Sequence, residues 1–63
     1  MQTPKQRVEF ELSELQTKIK NLEAFMQGQM FNTLGTTQQM LLRSQYFTMK
    51  NYETALELRL QNW

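Results

Sequence analysis

From Val8 onward the apolar residues return at alternating steps of four and three: Val8, Leu12, Leu15, Ile19, Leu22 and Met26. A helix carries such positions on one stripe, and the strict alternation fits the seam of a coiled coil or bundle better than a broad globular face. The stripe has a clear start, with Thr3 as N-cap, Pro4 at the first helical position and Gln6 placed to close a capping box. Gly28 is the natural stop, because glycine enters without steric cost the left-handed conformation that ends many helices. Together these signals predict a helix over about 4–27.

Between Gly28 and Gly35 stand Met30, Phe31 and Leu34. They predict an apolar bend over about 28–35 that folds back and plugs the end of a hairpin. Thr36 and Gln39 repeat the capping-box spacing and open a second helix over about 37–62. Its apolar positions are Leu42, Tyr46, Met49, Leu56, Leu60 and Trp63, with Leu41, Tyr52 and Ala55 on an adjoining strip. One hairpin partner covers only one of these strips, so the other is expected to meet another subunit, as in four-helix bundles built from two hairpins. The expected fold class is therefore all-α, a single-domain helix–loop–helix hairpin assembling into a homo-oligomeric helical bundle.

Size sharpens that expectation. A chain of 63 residues has a thin core, of a kind that small proteins reinforce with disulfides, a metal or a partner subunit. The chain has no cysteine, histidine or aspartate, which removes disulfides and the commonest metal ligand and leaves self-association. Neither a metal nor a cofactor is expected. Glutamates are the only acids, and no phosphate loop, nucleophile elbow or nucleophile–base pair is present, so the chain reads as a binding protein rather than an enzyme. A formal charge of +1 counts against broad attraction to nucleic acid or anionic membrane. No apolar run is of membrane-spanning length and no secretory signal opens the chain, so a soluble intracellular protein is expected.

The charges fall differently on the two helices. On the first, every cation has an acid one turn away: Lys5 with Glu9, Arg7 with Glu11, Lys18 with Glu14, and Lys20 with Glu23, a solvated pattern with no function implied. On the second, Arg43 and Arg59 have no local acid. Lys50 has Glu53 three residues on, and shares a face with Arg43 and Phe47. Arg grips phosphate oxygens in bidentate fashion and an aromatic ring stacks on a base, so Arg43, Phe47 and Lys50 are candidate ligands for a phosphorylated, ring-bearing molecule. The plain packing alternative is two solvent charges flanking a partly buried ring. Gln45, Tyr52 and Arg59 are spaced by heptads on the adjoining strip, where a two-fold interface would pair them into small pockets; the alternative is a polar layer that fixes register. Phe10, off the first stripe, reads as a subunit contact ahead of its alternative, part of a ligand wall.

Arg7-Val8, Leu15, Lys18, Ile19, Leu22, Phe25-Met26, Phe31 and Leu34, then Leu41-Leu42, Gln45, Met49, Tyr52, Leu56, Arg59 and Leu60 give the chain a resemblance over nearly its whole length. It resembles a family of short two-helix phage accessory proteins named after a crAss-like phage. The chain departs from that pattern at Gly28-Gln29-Met30 and Gly35-Thr36-Thr37, where acidic and lysine-rich segments are more usual. The resemblance implies, by analogy with phage anti-defence sponges, a protein that sequesters a nucleotide immune signal of the cyclic dinucleotide or cyclic ADP-ribose type. In that setting Arg43, Lys50 and Arg59 would neutralise phosphates, Phe47 and Tyr52 would stack on base or ribose, and Gln45 would read a polar edge. Two other readings stand beside it: a helical adaptor that binds and inhibits a host protein, and an RNA-binding hairpin dimer, against which the near-neutral charge weighs.

Overall fold

The computed structural model describes residues 1–63 as three helices and no strand. Helix α1 spans Pro4–Gln27, a single turn α2 spans Gln29–Asn32, and α3 spans Thr36–Gln61. The long helices pack antiparallel into a rod 44 × 18 × 15 Å. No helix is long and apolar enough to cross a membrane.

Thr3 starts α1 as its spelling predicts. The Gln6 backbone amide donates to the Thr3 hydroxyl at 3.1 Å, and the Thr3 backbone amide donates to the Gln6 side-chain Oε1 at 2.9 Å. The seam also follows the four-three spacing. On α1, Val8, Leu15 and Ile19 are buried, with Leu12, Leu22 and Met26 half-buried; on α3, Leu42, Tyr46, Met49, Glu53, Leu56 and Leu60 form the covered stripe, with Lys50 half-buried at its edge. Leu56 is wholly enclosed, at 0% exposure. Only five residues of the chain are buried, so the core is one file of side chains.

The bend is built differently from its spelling. Gly28 ends α1 but keeps an extended backbone, with φ −87° and ψ 170°; no left-handed residue occurs in the chain. The expected Thr36–Gln39 capping box does not form, because Gly35 takes the N-cap position with no side-chain cap. Gln39 instead reaches back, its Nε2 donating to the carbonyls of Phe31 at 3.2 Å and Leu34 at 2.9 Å. It thus supplies the partner that the Leu34 carbonyl otherwise lacks and adds a second donor to the Phe31 carbonyl, which already accepts from the Leu34 amide at 3.2 Å. Phe31 is the plug, 4% exposed and edge-on to Phe25 with ring centroids 6.3 Å apart, whereas Met30 faces solvent. Trp63, expected on the seam, lies beyond α3 and is exposed.

The four ion pairs expected on α1 are also absent, the one salt bridge of the chain being Lys50–Glu53. Two of those glutamates have turned toward α3. Glu23 accepts from the Tyr46 hydroxyl at 2.6 Å and Glu11 accepts from the Tyr52 hydroxyl. A phenol with a partly covered ring needs a partner for its hydroxyl, whereas an exposed intrahelical pair contributes only a few tenths of a kcal/mol.

Candidate functional site

The covered stripe of α3 divides its remaining surface into two flanks. Helical spacing puts Arg43, Phe47 and Lys50 one residue beyond the stripe, on one flank, and Gln45, Tyr52 and Arg59 one residue before it, on the other. The tyrosine bonds fix which side of α1 each flank meets: Tyr46 leads to Glu23 and Tyr52 to Glu11. A single chain therefore does not bring the six candidate residues into one site.

On the Glu23 flank a cleft of about 440 Å³ is lined by Glu23, Met26, Gln27 and Tyr46. That volume lies within the range of small-molecule sites. Phe47, the residue after Tyr46, does not line the cleft; its ring is edge-on to Tyr46 at 5.6 Å between centroids and 64% exposed. Arg43 stands one turn toward the bend, its guanidinium over the Phe31 ring at 5.2 Å from the centroid, an arrangement that orients the cation without neutralising it. Lys50 stands one turn the other way and pairs with Glu53 at 2.9 Å. The Glu53 carboxylate, by hydrogen bond and by charge, holds the Lys50 ammonium above its ordinary range, so it stays a cation. The Tyr46 phenol is also pushed up, first by its bond to Glu23 and then by partial burial. The cleft thus offers the Glu23 carboxyl, the Tyr46 phenol, the Gln27 carboxamide and the Met26 thioether.

The opposite flank has a smaller cleft of about 250 Å³, lined by Phe10, Glu11, Glu14, Leu15, Lys18 and Tyr52. Tyr52 is raised chiefly by its hydrogen bond to Glu11. Gln45 turns its amide along its own helix toward the Met49 sulfur at 4.0 Å, and Arg59, in the last turn of α3, is exposed. Phe10 is 57% exposed, as is Leu41 on the same flank, and nothing in the chain covers them.

Sequence reasoning missed Glu23 and Gln27 as lining residues because it paired Glu23 with Lys20 along the helix. The signal was the tyrosine at a seam position. A ring placed there sends its hydroxyl past the opposite helix, and the polar residues flanking Met26 are the groups it can meet.

A family model described as Sequestin matches residues 2–62. A protein of enterobacteria phage T4, described as an uncharacterized 7.5 kDa protein in the denB-rIIB intergenic region, is 39% identical over 54 residues, which cover 86% of this chain and 84% of that protein. No solved structure matches the chain.

Proposed function

This chain belongs to the Sequestin family, and on that footing we propose that it is a phage anti-defence protein that binds and sequesters a small nucleotide immune signal, of cyclic dinucleotide or cyclic ADP-ribose type, at subunit interfaces and without catalysis. The likeness to the T4 protein makes the family one of phage accessory proteins. The family's name, Sequestin, suggests sequestration, a role that binding alone fulfils.

The observation that carries the reading is the row Arg43, Phe47, Lys50 beside the Glu23–Tyr46 cleft. Two cations and an accessible ring stand along one helix flank next to a ligand-sized hollow. Cations for phosphate and a ring face for a base are the two requirements of nucleotide capture.

Self-association would bring the opposite flank into use. The chain exposes 5076 Å², whereas a compact monomer of its mass exposes about 4,300 Å². The excess is close to the roughly 800 Å² that each partner contributes to a standard interface. The exposed strip with Leu41, Tyr52 and Ala55 is the surface a second copy would cover, and Arg59 and Gln45 would then stand beside their symmetry mates.

Isothermal titration against a panel of cyclic dinucleotides and ADP-ribose isomers tests the reading. One member of the panel is expected to bind, and Arg43→Ala with Lys50→Ala to weaken it at least tenfold; absence of heat with every member would refute it. The exposed apolar strip also favours a second reading, an adaptor that inhibits a host protein through an amphipathic helix. Pull-down from host lysate separates the two, because a nucleotide sponge recovers no stoichiometric host protein.

A further inference from the structure

The two cations of the Arg43–Phe47–Lys50 row are held by different kinds of partner, and the difference divides their work. Resting on the nucleotide reading above, we infer that Arg43 is the phosphate anchor and that Phe31 is its positioning residue, so that the bend forms part of the binding site.

Lys50 bonds to the Glu53 carboxylate at 2.9 Å. A phosphate drawn to that ammonium would also meet the glutamate, and the pair as a whole carries no net charge. Arg43 has no such neighbour, since Lys50–Glu53 is the one salt bridge of the chain. It is exposed, and its guanidinium stands over the Phe31 ring, 5.2 Å from the centroid. A carboxylate partner engages N–H donors and cancels charge; a ring attracts the cation through its quadrupole and does neither. Arg43 therefore keeps its charge and the fork of donors that grips phosphate oxygens in pairs.

The ring that holds the guanidinium is itself held. Phe31 is buried and edge-on to Phe25. Its carbonyl accepts from the Leu34 amide and from Gln39 Nε2, each at 3.2 Å, which ties the bend to the first turn of α3, one turn before Arg43. Ring and helix thus move as one piece. A free arginine gives up rotamer freedom when it grips a ligand, a loss that weakens binding; one already resting on a fixed ring gives up less.

The test uses the whole protein, titrated with cyclic di-AMP, cyclic di-GMP and cyclic ADP-ribose, and follows the probe held tightest. Arg43→Lys, which keeps the charge and loses the fork, should weaken binding nearly as much as Arg43→Ala, by roughly tenfold or more. Lys50→Ala should change it by less than about threefold. Site-specific trifluorophenylalanine at Phe31 drains the ring's quadrupole while nearly keeping its shape, and should weaken binding by about two- to fivefold, the range of one exposed cation–π contact. The same replacement at Phe25, which packs on Phe31 without holding a cation, should leave affinity unchanged. Wild-type affinity in Arg43→Lys, a loss in Lys50→Ala as large as in Arg43→Ala, or no response to the altered Phe31 would overturn the inference and leave the sequestration reading standing. Failure of every probe to bind the unsubstituted protein would remove both. Should the altered ring lower helical circular dichroism, the Arg43 side-chain Nε–H resonance of the unsubstituted protein decides the positioning role: a ring-current shift away from Arg7 and Arg59 supports it, and coincidence with them refutes it.

Discussion

Tyr46 and Tyr52 each tie α3 to a glutamate of α1, one on either flank of the seam. Each phenol is held above its ordinary value of 10.0, with the hydrogen bond to its glutamate as the largest cause. The folded state therefore keeps these protons more tightly than the unfolded chain does. The stabilisation is complete below the ordinary phenol value and is lost as pH rises through the raised values, when each phenolate faces a carboxylate. Urea midpoints measured from pH 8 upward should hold level and then fall once pH passes about 10. The double variant Tyr46→Phe, Tyr52→Phe should show a shallower fall over the same interval. An identical decline in both proteins would mean that the two bonds carry no part of it.

Helix α3 begins without side-chain help. Gly35 holds the N-cap position in an extended conformation, φ −63° and ψ 158°, that any residue adopts, and a Cβ there would meet nothing within 4 Å. The first turn of α3 also lacks an acid. Gly35→Asp adds a cap acceptor, a charge that complements the helix dipole and a stiffer unfolded chain, and should stabilise the protein by about 0.5–1 kcal/mol. A rise in urea midpoint at fixed protein concentration checks this; an unchanged or lower midpoint contradicts it. The same helix start marks where the sequence ceased to be readable. Thr3-Pro4 and the four-three apolar spacing announce α1 and the seam because their partners lie within one helix. Thr36 and Gln39 carry the same spelling, yet the Gln39 amide is drawn to the Phe31 and Leu34 carbonyls, whose exposure depends on how the bend closes. The flank residues divide in the same way. The neighbourhood of Arg43, Phe47 and Lys50 follows from helical spacing alone, whereas the meeting of Glu23 with Tyr46 depends on the register between helices, which no local pattern specifies.

At the scale of the whole chain, the radius of gyration is 14.5 Å, against about 10.6 Å for a compact domain of this length. A rod with so narrow a core gains much of its stability from whatever covers its sides. The thermal midpoint should therefore rise with protein concentration, as mass action requires when association and folding are coupled. Scanning calorimetry over a hundredfold dilution series checks this, with sedimentation at the lowest concentration. A midpoint independent of concentration, together with a compact monomer at high dilution, would contradict the self-association on which the proposed site depends. The antiparallel path has a practical corollary. Helices of 24 and 26 residues bring Met1 and Trp63 to one tip and leave Phe31 and Gln39 at the far one. A fluorescent reporter fused at either terminus would sit off the end of the rod, clear of both flanks, so capture of a nucleotide could be followed in living cells without the label standing in its way.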